Sequence, residues 1–250
     1  MATRVDYETH GRGYARGRRA DPRIEERIHA ALGDARTVLN VGAGTGSYEP
    51  TDRWVLAVEP SATMRSQRPA DYAPCIVAMA ESLPLDDDSV DAAMASLTIH
   101  HWPERARGLA ELRRVVRGPV VIFTFDLAAL VDWQRDYLAP LIAIEEPRFG
   151  TPEGVAEELS GEVRIETITT PADCVDGFFE AYWNRPETLL DPRVRATQSI
   201  WELVDGEEEE RIVGRLAADL ESGRWDEEHG ALRDQSSYEG SLRLVISEPA

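Results

Sequence analysis

Apolar residues arrive along the first half of the chain in short runs, each followed by a polar or helix-period stretch. Thr37–Val41, Trp54–Val58, Ile76–Ala80 and Val90–Leu97 read as strands. Pro119–Phe125 is almost continuously apolar, as expected of a central parallel strand covered on both faces. Between them lie helix signals. Asp21 caps a segment with Pro22 at its first position and Ile24, Ile28 and Ala31/Leu32 on one face, stopped by Gly33. Ser61 caps a short helix reaching about Arg68, and Pro103–Arg117 carries Leu109, Leu112, Val115 and Val116 on one side. The turn after Val41 leaves room for only a short helix, because Pro50 follows closely. This alternation over residues 37–126 predicts a parallel sheet with right-handed crossovers.

Beyond Asp126 the rhythm changes. Ala128–Glu145 and Glu153–Leu159 read as helices, and Val163–Thr169 alternates like a strand. Cys174–Gly223 is mostly helix-like, with an acidic helix start at Glu207–Glu210, and Leu242–Ile246 is a closing apolar strand. The stretch between the last two strands is too long for a hairpin loop. It predicts a helical cap inserted before the last strand. The expected organisation is an N-terminal segment and helix over 1–35, a sheet core over 36–170, the cap over 171–235 and a returning strand over 236–250.

With 250 residues, 42% of them hydrophobic, the chain has enough material for one large core. Its formal net charge is −19, and every basic residue is Arg or His, for there is no lysine. So acidic a surface argues against nucleic acid and anionic membranes as partners. Cys75 and Cys174 form neither a disulfide framework nor a zinc pattern. No apolar run reaches the length of a membrane span, and the Arg-rich start lacks the apolar stretch of a secretory signal. The expectation is a cytoplasmic protein; its oligomeric state is open.

The chemistry concentrates at TVLNVGAGTG, Thr37–Gly46, and VLAVEP, Val55–Pro60. Glycines at a strand-to-helix turn let the backbone pass close to a ligand. Glu59, ending the second strand, is placed to accept hydrogen bonds from both hydroxyls of a ribose. The doubly wound, mostly parallel Rossmann-like α/β sheet this implies would carry a nucleoside cofactor. A dinucleotide fingerprint puts its third glycine at position 47, where this chain has Ser47. The spacing here is G-x-G-x-G, with Asn40 near the strand end.

Residues Tyr14 to Asp126 resemble a class I S-adenosylmethionine (SAM)-dependent methyltransferase of the UbiE-like small-molecule group. NVGAGTG resembles its glycine motif, AVEPSATM its second-strand motif, and MAESLPLDDDSVDAAMASLTIHHW its acid-to-His-His segment. The resemblance implies that Gly42, Ala43, Gly44 and Gly46 line the methionine part of SAM. It implies that Glu59 binds the ribose diol, Pro60 and Met64 touch the adenine face, Ala80 and Glu81 sit at its edge, and Ser96 or Leu97 contacts the region of the sulfonium. Tyr14 and Arg18 have the Tyr-x-x-x-Arg spacing the group places near the cofactor carboxylate; a solvated Arg is the alternative for Arg18. Two positions depart from the group. Asn40 replaces an acid near the cofactor ammonium, and Met79 replaces the Asp that binds the adenine amine. Met79 would then contribute packing.

Methyl transfer from a sulfonium leans on positioning, and needs a base only when the acceptor carries a proton. Thr98, His100, His101, Asp126 and Asp173 are the polar residues beyond the strand ends. His100 and His101 are the candidate bases, with a structural role as the alternative. A metal held by His100, His101 and Asp126 lacks a spacing signature, so none is expected. Phe178, Phe179, Tyr182 and Trp183 form a helical stripe whose default meaning is core. Their place in the cap makes Tyr182, Trp183 and Arg185, with Asp126, the candidate substrate contacts. The reading is methyl transfer to O or N of a small organic acceptor, with S-adenosylhomocysteine (SAH) as product. A SAM-binding protein without catalysis and a NAD-type oxidoreductase are the alternatives.

Overall fold

A computed structural model describes residues 17–249 of the chain. Among the described residues nine strands form, seven of them in one sheet, in the order β3-β2-β1-β4-β5-β9-β6. They are β1 (Thr37–Val41), β2 (Trp54–Val58), β3 (Cys75–Ile76), β4 (Ala92–Ser96), β5 (Val120–Phe125), β6 (Glu162–Thr167) and β9 (Leu242–Glu248). β1 to β5 run parallel, and β9 lies antiparallel between β5 and β6. Two short strands, β7 (Thr170–Pro171) and β8 (Ser237–Tyr238), pair separately. The sheet is the mostly parallel α/β arrangement expected, with the strand order reversing beside β1, whose two neighbours are β2 and β4.

Several boundaries differ from the sequence pattern, each for a local reason. β3 keeps only Cys75–Ile76 of the expected Ile76–Ala80. As an edge strand it has one neighbour, and after Ile76 the chain leaves the ladder to wall a cavity. Of the expected Val90–Leu97, only Ala92–Ser96 enters the sheet; Val90 makes an isolated bridge to Val116, and Leu97 turns to φ 50°. No helix follows β1. Residues 42–50 make successive turns, with Tyr48 at φ 65°, because glycine and proline disfavour helix. The expected helix Ala128–Glu145 is a 3₁₀ turn (Leu127–Ala129) and two helices, Asp132–Tyr137 and Ala139–Phe149. Pro140 starts the second one.

The insertion before β9 is a chain of short 3₁₀ and α turns, followed by the helices Gly206–Glu221 and Arg224–His229. It does not have a core of its own. Val121 and Phe123 of β5, Ile24 and Ile28 of the helix Pro22–Ala31, and Trp133, Trp183, Leu216 and Trp225 belong to one apolar cluster. A second cluster fills the other face, between β1, β4, β5 and the helix Arg105–Val115.

Candidate functional site

Beyond the carboxyl ends of β1, β2 and β4 lies a cavity of about 560 Å³. Its floor is the glycine turn. Gly42 and Gly44 sit at φ 69° and 53°, in the left-handed region that favours glycine. A Cβ on Gly42 would come within 2.2 Å of Thr98 Oγ1, so the turn also needs glycine for space. Ala43 lies between them at the cavity, whereas Gly46 faces the Tyr72 ring instead.

Glu59 ends β2 over this turn. Its Oε2 accepts the Gly44 N–H (2.9 Å) and its Oε1 the Ser61 N–H (2.8 Å). Each oxygen keeps a lone pair for a ligand. Burial pushes the Glu59 carboxyl above the usual carboxylate range, and the two N–H bonds oppose that shift. Pro60, Met64, Ala80 and Met79 make the apolar wall beside it, with Met79 at the rim, 38% exposed. Glu81 completes the wall. Its Oε1 accepts the Glu104 N–H, and its buried Oε2 has no hydrogen-bond partner among the described residues.

Asn40, on the other side of the glycines, donates through Nδ2 to Glu49 Oε1 at 3.0 Å. Arg68 Nη2 in turn bonds both Glu49 oxygens at 2.8 Å. Asn40 Oδ1 is buried and unpartnered among the described residues. Arg18 reaches the cavity but is paired: Nε and Nη2 fork onto Asp176 at 2.6 and 3.1 Å, and the Tyr48 hydroxyl donates to Asp176 as well (2.6 Å). Burial, with Asp176 beside it, holds the Tyr48 phenol well above its ordinary pKa. Tyr14 lies outside the described residues.

β4 ends at Ser96, and both Ser96 and Leu97 line the cavity. Thr98, His101 and Trp102 line it too. A second cavity of about 50 Å³ adjoins, sharing Arg18, Leu97 and His101 with the first. Phe125, Phe149, Phe178 and Phe179 wall it, with His100, Glu145 and Gln198 as polar groups. His100 stacks on Phe149 (centroids 3.8 Å apart), and burial drives its imidazole well below the ordinary histidine pKa, toward the neutral form. Arg148 Nη2 donates to His101 Nδ1 at 3.1 Å. A neutral His101 then carries its proton on Nε2, so it presents a donor rather than a base.

The expected acceptor contacts scatter. Asp126 pairs with Arg243 and caps the 3₁₀ turn after β5, away from both cavities. Trp183 is fully buried in the core; its indole N–H donates to Thr170 O, and its own carbonyl accepts from Trp133. Arg185 donates to the carbonyls of Cys174 and Ala181, with its guanidinium over the Tyr182 ring. The expected helical stripe is a 3₁₀ turn, Phe179–Tyr182; Phe178 and Phe179 reach the second cavity, and Trp183 lies in the same apolar cluster but lines neither cavity. Asp173 is exposed and paired with Arg23. Asp176, Glu49, Arg68, Glu145 and Gln198 enter the site without a local sequence signal.

Residues 39–123 match the sequence profile of a methyltransferase domain. Over 116 residues the chain is 39% identical to an uncharacterized methyltransferase of Mycobacterium tuberculosis, covering 42% of this chain and 44% of that protein. It is 33% identical over 151 residues to the malonyl-[acyl-carrier protein] O-methyltransferase of Methylococcus capsulatus, covering 53% and 54%. The chain thus spans about half the length of the curated relatives it matches. A crystal structure from Anabaena variabilis, of a protein provisionally named a methyltransferase from an antibiotic biosynthesis pathway, superposes with a TM-score of 0.86. It is 30% identical, with 92% of this chain and 98% of that one covered.

Proposed function

We propose, because the chain belongs to the class I SAM-dependent methyltransferases, that it transfers a methyl group to an oxygen or nitrogen atom of a small organic acceptor. The observation that carries this reading is the glycine-floored cavity with the Glu59 carboxylate over it. Three features of the cavity fit SAM. Glu59 has lone pairs left for a ribose diol. Asn40 Oδ1 is an unpartnered acceptor beside the glycines, suited to an ammonium. Glu81 Oε2 is an unpartnered acceptor in the apolar wall, suited to an adenine amine in place of the Asp that Met79 displaces.

When bound, SAM supplies a methyl group on a cationic sulfur. The chain's own residues do the rest. Gly42, Ala43 and Gly44 let the backbone reach the ligand, Pro60, Met64 and Met79 pack the adenine, and Ser96 lines the cavity beside Leu97, which borders the second one. Arg18, forked onto Asp176, ties the insertion to the cavity mouth. The net charge of −19 favours a small acceptor over a nucleic acid.

Glu59→Ala should weaken SAM and SAH binding by about 1.5–3 kcal/mol, the scale of losing hydrogen bonds to a charged group. Calorimetry on the folded variant measures this. Unchanged affinity would remove Glu59 from the ribose, and failure of the wild-type protein to bind SAH would remove the cofactor reading.

A further inference from the structure

The second cavity holds an unusual set of unsatisfied atoms. Glu145 is 3% exposed and Gln198 6%. Glu145 Oε1 accepts from Arg148 Nη1 (2.8 Å), but Oε2 is buried with no partner among the described residues. Gln198 Oε1 accepts from the Trp201 indole (3.0 Å), but its Nε2 is equally unpartnered. His100 Nδ1 is the third such atom. A buried polar atom left unpaired costs about 1–3 kcal/mol. Three converging on one small aromatic cavity mark a place shaped for a ligand that pairs them.

The charges around the cavity say which ligand. The Glu145 carboxylate is already offset by Arg148, and the Arg18 guanidinium by Asp176. An ammonium would add an uncompensated charge to a desolvated site, and an anion would face Glu145 Oε2. A neutral ligand meets neither cost. It needs one donor for Glu145 Oε2, one acceptor for the Gln198 amide and a polar partner for His100 Nδ1. The side chains of Phe125, Phe149, Phe178 and Phe179 make the rest of the wall apolar, which favours an apolar body beside the polar end.

We propose that the second cavity seats the reacting end of the acceptor, that this end is a neutral planar hydroxyl such as a phenol or enol with a neighbouring oxygen, and that Glu145 Oε2 takes its proton. This rests on the methyltransferase reading above. The hydroxyl oxygen loses its proton to Glu145 as it gains the methyl. The O–H bond pair becomes the new O–C pair, and the old carbon–sulfur pair stays on sulfur, leaving a neutral thioether and a protonated Glu145. Burial raises the Glu145 carboxyl above its usual range, against the pull of Arg148, which makes it a better base than an ordinary carboxylate. His101 Nδ1 is held by Arg148 and so is not the base in this arrangement. The cavity admits only a few atoms, so the rest of the acceptor passes Leu97 into the larger one.

The test uses full-length protein loaded with SAH and three flat probes: salicylamide (neutral hydroxyl), benzylamine (cation) and benzoate (anion). Calorimetry should show salicylamide binding at least about tenfold more tightly than either charged probe, the scale of one satisfied hydrogen bond. With SAM, salicylamide should be methylated on its hydroxyl oxygen. Glu145→Gln should lower kcat by about a hundredfold or more, with SAH affinity within about twofold of wild type. Gln198→Leu should instead raise the salicylamide KM about tenfold with kcat little changed. Equal or tighter binding of benzylamine or benzoate, no binding of salicylamide to SAH-loaded protein, or full kcat in Glu145→Gln would each overturn the proposal. Should Glu145→Gln fail to fold, the Gln198→Leu KM and the probe ranking decide alone. Loss of SAH binding by the wild type would strike the methyltransferase reading instead.

Discussion

Asn40 shows how a single position is set by a partner far from its own motif. The resemblance puts an acid there, and nothing local explains an amide. In the fold, Asn40 Nδ2 donates to Glu49, whose carboxylate is also held by Arg68. The negative charge beside the glycine turn sits on Glu49 instead. Asn40→Asp would replace a donor by a second carboxylate about 3 Å away in a site where both residues are under 5% exposed. We expect it to destabilise the protein by about 2–4 kcal/mol, through a lost hydrogen bond and like-charge repulsion. Adding Glu49→Gln should recover most of that loss. Urea unfolding of the wild type and the two variants measures both effects, and a wild-type midpoint for Asn40→Asp would show that Glu49 does not constrain position 40. The same contrast separates what was legible from what was not. Gly42, Gly44 and Glu59 stand out in sequence because backbone conformation and strand ends carry local spacing. Glu49, Asp176, Glu145 and Gln198 do not, because what places each of them at a cavity is the packing of segments distant in sequence. Trp183 and Arg185 were misplaced for a related reason: an aromatic stripe gives a period but not which side faces a cavity.

At the scale of elements, the sheet strands were the most legible part, since β1, β2, β4 and β5 are short apolar runs between punctuating residues. Their ends were less so. β3 stops where its chain turns to form the cavity wall, and the segment after β1 is held by side-chain bonds rather than by a helix. The insertion is joined to β9 by one buried acid. Glu180, in the turn Phe179–Tyr182, is fully buried and accepts hydrogen bonds from Ser241 N (2.7 Å) and Ser241 Oγ at the entry to β9. Burial pushes its carboxyl up to about 7, against those bonds. The unfolded chain releases this proton near the ordinary value of about 4.5. Between the two values the folded protein holds one proton more, so stability falls as pH rises through this window. The contribution is full below the unfolded pKa and lost above the folded one. From pH 5 to pH 8 it amounts to about 2–3 kcal/mol. Glu180→Gln should flatten the pH dependence of the unfolding free energy by that amount. Parallel slopes for the variant and the wild type would mean that Glu180 is ionised throughout.

For the whole molecule, the α/β class and the parallel run of strands follow from the apolar rhythm, and family membership decides between methyl transfer and the dinucleotide alternative that the glycines alone left open. The relation of the insertion to the sheet was the part least visible in sequence. A lid over a cleft and a second layer of the core have the same composition, and only long-range packing tells them apart. Here the packing is continuous: Phe123 and Leu244 in the sheet, Ile24 in the N-terminal helix, and Trp183, Ile200, Trp201 and Trp225 in the insertion belong to one apolar cluster. Trp133 joins the two layers, donating to Trp183 O and meeting Trp225 edge to face with centroids 5.8 Å apart. A core shared in this way should be lost as a unit, because removing the insertion exposes one face of the sheet. We therefore expect one urea transition, with tryptophan fluorescence and far-UV circular dichroism giving the same midpoint. Fluorescence is weighted to the insertion and its neighbour, since four of the chain's six tryptophans, at 133, 183, 201 and 225, sit in that cluster. Circular dichroism reports the sheet and all helices together. If fluorescence changed at lower urea while the dichroism held, the insertion would unfold alone and behave as a lid. Coincident curves, both moving to lower urea by the same amount in Trp225→Ala, would establish it as a structural layer whose loss removes the second cavity together with the sheet face beneath it.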